Sequence, residues 1–499
     1  MRIVRSNILS SASALIILFG VILRTRQYIV NRSLWLDELL ISLNIVNRSF
    51  VQLTQPLDYN QKAPIGFLLL QKLSTQIFGI EEYSLRLLPL IAGIMALFLM
   101  YHVGKVYIGL PGTLFALGFL AVSVRPIYYA SEVKQYSVDA LVSLLLLFVA
   151  YKCLEPDSNV RHFVLLGITG LLSLWMSHPS LFVVTGISLV LGLDLLLRRD
   201  KTKVLWLAAV LLLWALSFIV LYFLSLRHLS GITQSINYWR DDFMPMPPWL
   251  EPAWFIDAFS KMLGDFGFVK ISISGAFFIL GCLSLFFRKW QLGLIVILPF
   301  LITLVVSGFE NYPFRGRLLL FIAPMIFILV AEGVERIRLI LVKVDPWFAF
   351  VVWLILILFF IYKPFNTSIE NFCYPKMREH SRPVVAYLSQ NRQDTDTIYV
   401  YHGALPAFRY YGQWYGFDEV EYLEGIHSTR EPEKYLEQLD ALNLDGRVWF
   451  LFSHACKQEC IVDEEAYFIN YLDKKGVRLD KLQSSEASLY LYNLSKAKH

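Results

Sequence analysis

The sequence Leu34-Trp35-Leu36-Asp37-Glu38-Leu39-Leu40 places two adjacent carboxylates just after the first long apolar stretch, which covers residues 9–30. Ionised acids are costly to keep at the boundary of a membrane, so an acid pair at this depth is expected to have a functional role. The pair therefore indicates a functional site at the end of the first membrane span.

The composition around this pair is that of a polytopic membrane protein. Of 499 residues, 56% are hydrophobic and 17% are charged, whereas soluble chains carry roughly 25% charged residues. The net charge of +5 is small, and the basic residues of the chain are scattered among short loops. That distribution follows from membrane topology and argues against a nucleic-acid partner.

Eleven apolar stretches are interpreted as membrane spans, and the positions of Lys and Arg orient them. Arg2 and Arg5 precede the first span, which places the amino terminus in the cytoplasm. A further apolar run at residues 63–79 is interpreted as a helix in or against the outer leaflet, because counting it as a crossing would place the basic clusters outside. The predicted spans cover residues 9–30, 84–103, 114–127, 138–151, 164–177, 180–197, 205–224, 271–287, 292–306, 318–334 and 347–362.

The chain divides into two predicted domains. Residues 1–362 form a transmembrane α-helical domain, and residues 363–499 form a small α/β domain outside the cytoplasm. In the second domain strand and helix patterns alternate, which is typical of small α/β domains. The strand patterns lie at residues 397–401, 447–452 and 488–492, and the helical patterns at residues 382–391, 433–442 and 464–474. The outer loops of the first domain cover residues 31–83, 227–270 and 308–317.

Five cysteines are too few for a disulfide scaffold. Cys456 and Cys460 lie close together in the polar tail and would be able to pair if the tail lies outside the cytoplasm. Their spacing alone leaves the pairing open. Cys153 and Cys282 fall in or beside apolar spans and are interpreted as unreactive core residues.

Asp37 is the candidate general base. A carboxylate at this boundary can take the proton from an incoming hydroxyl or amine group, which is general-base chemistry. On a helix Glu38 points about 100° away from its neighbour, so it is expected to hold local structure. The plain alternative is a solvated pair of acids in a loop.

Two basic residues precede the tenth span. Arg315 and Arg317 can hold a phosphate group by paired, charge-assisted hydrogen bonds. As a pair taken alone, they are equally well explained as anchors at the membrane interface.

Further polar residues of the outer loops lie at or near span ends, where a water-filled cavity between helices would gather them. If the chain is helical from Ser131 onward, Glu132, Tyr136 and Asp139 share one face that suits sugar hydroxyls. The alternative is that these acids cap the start of a span. For His178, a structural role and a functional role are both open. The candidates for sugar or acceptor binding, or for support of the site, are Asp58, Tyr59, Gln61, Arg86, Glu132, Lys134, Tyr136, Asp139 and His178.

Four motifs follow one another along the chain, all on the predicted outer side of the membrane. They are Asp37-Glu38, Tyr59-Asn60-Gln61-Lys62-Ala63-Pro64, Ser84-Leu85-Arg86-Leu87-Leu88-Pro89 and Tyr129-Ala130-Ser131-Glu132. Together they resemble the GT-C glycosyltransferases, and within that fold the protein O-mannosyltransferase and aminoarabinose transferase group, glycosyltransferase family 39 or 83. The resemblance covers about the first half of the chain. More loosely, it extends to Arg315-Gly316-Arg317 and to the carboxyl-terminal domain.

The resemblance implies an enzyme of the bacterial inner membrane and cell envelope. Such enzymes take a sugar from a polyprenyl phosphate at the outer membrane face and transfer it with inversion to a glycan, lipid or protein acceptor. Asp37 matches the base, with Glu38 completing the pair. Lys62 and either Arg315 or Arg317 match the residues near the lipid phosphate, although Ala63 replaces a proline of the family motif. The resemblance implies no cofactor and no metal ion.

Two other classes of protein remain open. A transporter or flippase of a lipid-linked sugar would also place acids and arginines among many spans, but it is expected to show internal repeats and charges near mid-membrane. A membrane scaffold that binds partners through its carboxyl-terminal domain would have no need of Asp37. The position of the charges at one outer level favours the transferase over both.

Overall fold

The computed structural model describes residues 2–225, 227, 239–457 and 460–494. The chain forms two compact units. The first combines Met1–Val30 with Arg48–Pro375, and the second combines Asn31–Asn47 with Lys376–His499.

The described part of the first unit is helical. Helix α2 lies between two segments of this unit in the sequence, but it belongs to the second unit. The helices as far as residue 373 are α1 (Arg2–Ile29), α2 (Leu36–Asn47), α3 (Ile65–Phe78), α4 (Glu82–Tyr107), α5 (Gly109–Val122), α6 (Val124–Tyr129), α7 (Tyr136–Leu154), α8 (Val160–Met176), α9 (Ser180–Arg198), α10 (Lys201–Leu224), α11 (Pro252–Asp265), α12 (Ile271–Arg288), α13 (Trp290–Gly308), α14 (Ala323–Leu341) and α15 (Pro346–Cys373).

Nine helices among the described residues are long and apolar enough to cross a membrane: α1, α4, α7, α9, α10, α12, α13, α14 with the 3-10 turn Gly316–Ile322 before it, and α15. The other two predicted spans fall on α5 and α8, which have 14 and 17 residues. Helix α5 is short because the backbone becomes extended at Ser123, inside the predicted stretch. Helix α3 covers most of the apolar run that is predicted to lie in or against the outer leaflet, and it has 14 residues.

Helix α14 forms the centre of the first unit, since every residue from Ala323 to Glu335 is buried. It lies against α12 through two glycines. A Cβ atom added at Gly281 would lie 1.8 Å from the carbonyl oxygen of Leu329, and one at Gly333 would lie 2.1 Å from that of Phe277. The two backbones therefore touch directly, which only glycine permits at these positions.

The second unit contains a five-stranded sheet with strand order β2-β1-β3-β5-β4. Strand β1 runs parallel to β2 and β3, while β5 is antiparallel to both β3 and β4. Strand β3 is central, and its residues from Val448 to Ser453 are buried. The strands are β1 (Thr397–Val400), β2 (Leu423–Glu424), β3 (Gly446–Ser453), β4 (Val477–Ser484) and β5 (Ala487–Leu494).

The longer helices in this part of the chain are α16 (Arg382–Asn391), α17 (Leu405–Tyr411), α18 (Glu433–Ala441) and α19 (Glu464–Lys475). The prediction of a small α/β domain is thus confirmed, with β2 and β4 added to the three predicted strands. Cys456 and Cys460 form a disulfide bond within it.

The predicted domain boundary and the assignment of residues 31–47 both differ from the structure. Helix α15 continues to Cys373, so the sequence-based limit at residue 362 falls inside a helix. Residues 31–47, which the sequence assigns to the first outer loop, group with the carboxyl-terminal sheet. The reason is packing, because α2 lies against α17 and most of its residues are buried.

Candidate functional site

Helix α2 carries the acid pair at its first turn. The backbone N–H groups of Glu38 and Leu39 both donate to the carbonyl oxygen of Trp35 at 2.9 Å, and Asp37 and Glu38 lie at the positive end of the helix dipole. Glu38 is fully buried, whereas Asp37 is half-buried. Of the two acids, Asp37 is therefore the more exposed.

The first turn is held by Glu379. Its Oε2 accepts a hydrogen bond of 2.8 Å from the backbone N–H of Leu36, and its Oε1 lies 2.6 Å from Nδ1 of His454. The hydrogen bond with Glu379 raises the pKa of His454 above its usual value, and the charges of Glu486 and Asp37 raise it further. Sequence reasoning missed Glu379 and His454, because neither lies in an outer loop near a span.

The segment before α2 is fixed by the same part of the chain. The guanidinium of Arg378 lies 4.0 Å from the centre of the Trp35 ring, and Ser33 Oγ lies 2.8 Å from Nδ1 of His380. The backbone N–H of Leu34 donates to the hydroxyl of Tyr411 at 2.7 Å. Three consecutive residues before α2 are thus tied to residues more than 340 positions away.

In the first unit, Asp139 and Tyr136 lie at the start of α7. The predicted face shared with Glu132 does not exist, because α7 begins at Tyr136 and residues 131–135 form turns, with the N–H of Lys134 donating to the carbonyl of Glu132 at 2.7 Å. The helix supplies Tyr136 and Asp139, while the turn supplies Glu132.

The loop before the 3-10 turn Gly316–Ile322 approaches this end of α7. Burial, followed by the nearby charges of Asp139 and Tyr136, raises the pKa of Tyr312 well above its usual value. The guanidinium of Arg317 lies 5.8 Å from the centre of the Tyr136 ring. The structure therefore brings Tyr136, Asp139 and Arg317 close to one another, and Tyr312 lies beside them.

Three other candidate residues, Gln61, Lys134 and His178, lie near Lys62. Lys134 Nζ donates to Gln61 Oε1 at 2.9 Å. Burial lowers the pKa of Lys62, and burial together with the charge of Lys62 lowers the pKa of His178 to about 4. His178 is consequently neutral at pH 7 and available as a hydrogen-bonding group.

Arg315 lies in a network of ion pairs. Its Nη1 is 2.7 Å from Asp242 Oδ1, and this bond raises its pKa. Arg125 pairs with Asp265, whose pKa is nevertheless raised, because burial outweighs the nearby guanidinium groups. Asp242 and Asp265 belong to the predicted loop 227–270, of which residues 228–238 lie outside the described part. Arg315 still exposes 44% of its side chain.

The remaining candidates are Asp58, Tyr59 and Arg86. Asp58 pairs with Arg48 at 2.8 Å at the protein surface, and Tyr59 adopts a positive φ of 60° in the turn that follows. Arg86 is buried within the first two turns of α4. Within the described ranges, no group of three or more His, Cys, Asp or Glu side chains has the geometry to hold a metal ion.

The architecture is similar to that of solved membrane proteins. ArnT from Cupriavidus metallidurans superimposes with a TM-score of 0.56 in the apo state and 0.55 when bound to undecaprenyl phosphate, at 10% and 11% identity, over 96% of this chain and 98% of that one. The archaeal oligosaccharyltransferase AglB from Archaeoglobus fulgidus, in complex with an inhibitory peptide and a dolichol-phosphate, gives 0.53 at 11% identity, over 97% of this chain and 74% of that one. Both are GT-C fold glycosyltransferases. The chain has the GT-C fold.

This GT-C fold spans both units, because the matches cover nearly the whole chain. No family model matches the sequence, and no curated protein matches it. The resemblance inferred from motif order is thus confirmed at the level of structure. In this GT-C chain the acid pair on α2 belongs to the second unit, and Lys62, Asp139 and Arg315 belong to the first.

Proposed function

We propose that this protein is an integral membrane glycosyltransferase that moves a sugar from a polyprenyl phosphate to an acceptor outside the cytoplasm. The observation that carries the proposal is the similarity over 96% of the chain to ArnT bound to undecaprenyl phosphate. The acid pair at the first turn of α2, where Asp37 is half-buried, supports it with a candidate base.

In this reaction, a hydroxyl or amine group of the acceptor attacks the anomeric carbon and inverts it. Asp37 takes the proton of the attacking group, and the bond between that carbon and the phosphate oxygen breaks. The phosphate leaves with an added negative charge, so cations that face it lower the barrier. Lys62, Arg315 and Arg317 are the proposed cations.

The proposed location is the bacterial inner membrane, with the second unit outside the cytoplasm. The disulfide bond between Cys456 and Cys460 supports this side, because disulfides persist in oxidising compartments. The flanking of the spans by Lys and Arg supports it independently.

The direct test is mass spectrometry of surface glycans and glycolipids from a deletion strain. A sugar modification that disappears, and returns with the wild-type gene, would name the donor sugar and the acceptor together. A purified protein that carries a lipid-linked sugar across a vesicle membrane without consuming it would show a transporter instead.

The two arginines are tested by substitution. Arg315→Ala and Arg317→Ala are each expected to raise the KM for the lipid donor about tenfold, since a charge-assisted hydrogen bond contributes roughly 1.5–3 kcal/mol. The KM for the acceptor is expected to stay within about twofold of the wild-type value.

The matched control for these variants is Arg336→Ala, which removes an exposed arginine from the other end of the same span. Its kinetics are expected to be those of the wild type. Equal effects of Arg315→Ala and Arg317→Ala on donor and acceptor would count against a phosphate-binding role.

Transfer is proposed to need neither a metal ion nor a cofactor. Purified enzyme treated with excess EDTA and passed through a desalting column is expected to keep its rate within about twofold. A loss of activity that Mg²⁺, Mn²⁺ or Zn²⁺ restores would contradict this, and the restoring ion would identify the metal that the enzyme requires.

A further inference from the structure

Glu379 is a buried acid that the proposed mechanism does not use. It is 4% exposed, and both of its oxygens are engaged, one by the N–H of Leu36 and the other by the ring of His454. A buried carboxylate is costly unless it is paired and hydrogen-bonded. Its two partners explain how it is tolerated at this position.

The partner at Leu36 is the first residue of α2. The first N–H groups of a helix have no partner within the helix, and the partial positive charge at this end favours an anion. Leu36 directly precedes Asp37, so the contact with Glu379 fixes the backbone from which the Asp37 side chain extends. Rotation or fraying of this turn would move the carboxylate of Asp37.

The partner at His454 brings a titratable charge close to the acid pair. The charged groups that act on the His454 ring are the carboxylates of Glu379, Glu486 and Asp37. Burial, followed by the charges of His427 and His454, lowers the pKa of the nearby His402 to about 4. Three negative groups thus face one imidazole, while its neighbouring imidazole is neutral at pH 7.

We propose that Glu379 and His454 are positioning residues for Asp37: the carboxylate of Glu379 holds the first turn of α2, and the imidazolium of His454 holds Glu379 and faces Asp37 with a positive charge. The inference rests on the proposed function, in which Asp37 is the base. It adds that the carboxyl-terminal part of the chain sets the geometry and the charge of that base.

The charge in this arrangement depends on pH in a defined direction. The pKa of His454 is raised in the folded protein, so its stabilising contribution is complete below about pH 6.5, its ordinary value. That contribution is lost as the pH rises through the raised pKa. Alkaline conditions therefore weaken the hold on Glu379 while the hydrogen bond at Leu36 remains.

The contact at Leu36 is tested by hydrogen exchange, measured by mass spectrometry on the full chain in nanodiscs. Glu379→Ala is expected to speed exchange in the peptide that contains Leu36 about tenfold, the effect of losing one hydrogen bond of this type. Glu379→Gln keeps an acceptor oxygen and is expected to exchange like the wild type. Glu421→Ala, at an exposed acid of the same unit, is the control.

The charge coupling is tested by NMR titration of His454 in the full chain labelled at histidine, with His454→Asn used to assign the signal. Both Glu379→Gln and Asp37→Asn are expected to lower the pKa of His454, and Glu421→Gln is expected to leave it unchanged. An unaltered titration in both variants, or unaltered exchange in Glu379→Ala, would overturn the inference.

Activity measurements separate this inference from the proposed function. His454→Asn is expected to move the acidic limb of the pH–rate profile to higher pH, and His454→Lys to restore it, since lysine keeps the positive charge. A merely structural role would lower the rate without moving the limb. If Asp37→Asn stays active, the proposed function fails, whereas the exchange and titration results still decide the contacts described here.

Discussion

Asp37→Asn is expected to lower the rate of sugar transfer about 1,000-fold, within the range that general-base groups contribute. Asparagine has nearly the same shape and can keep the first turn of α2 intact, but it cannot take a proton at neutral pH. The measurement is turnover of a polyprenyl-phosphate-linked sugar by purified enzyme, with donor and acceptor identified from the deletion strain.

The matched control is Asp418→Asn, which makes the same chemical change at an exposed acid of the second unit. Its turnover is expected to equal that of the wild type. Glu38 is not suited as a control, because its side chain is fully buried and its loss would disturb folding. Retention of more than about a third of the wild-type rate by a well-folded Asp37→Asn protein would remove Asp37 from the mechanism.

Gly281→Ala is expected to destabilise the first unit by about 3 kcal/mol or more, at or beyond the upper end of what overpacking normally costs. The new methyl group would lie 1.8 Å from the carbonyl oxygen of Leu329, which belongs to the backbone of α14. The two helices would have to separate to admit it, and α14 is surrounded by the core. The measurement is the melting temperature in detergent, with unfolding monitored by size-exclusion chromatography.

The same helix offers the control. A Cβ atom added at Gly275 meets no atom within 4 Å, so Gly275→Ala is expected to leave the melting temperature unchanged or slightly raised. Equal melting temperatures for Gly281→Ala and Gly275→Ala would mean that α12 and α14 do not approach as closely as described.

Several features were predictable because they depend on local sequence. A helix rises about 1.5 Å per residue, so the length of an apolar stretch shows whether it can cross a membrane. Long apolar stretches therefore predict membrane spans whatever they pack against. Three strands of the second unit, including the one around Phe450, follow from short apolar runs between turns. The limits of helices were less predictable: the bend at Ser123 shortens α5, and the turns at residues 131–135 remove Glu132 from α7.

The partners of the charged residues were not predictable. Arg315 was identified from its position before a span, but its bond to Asp242 joins residues 73 positions apart. Nothing in the local pattern around either residue indicates the other, since the contact is made only when the loops around α11 and α13 fold together. The pairing of Arg125 with Asp265 is of the same kind.

The sequence by itself determined that this is a multi-span membrane protein with a small α/β unit, and that an acid pair follows the first span. These properties reside in composition and periodicity, which a linear pattern records. Only the tertiary structure decided that α2 belongs with the carboxyl-terminal sheet, and that Glu379 and His454 surround its first turn. The physical reason is that burial and charge pairing depend on residues brought together across more than 340 positions, where sequence spacing carries no information.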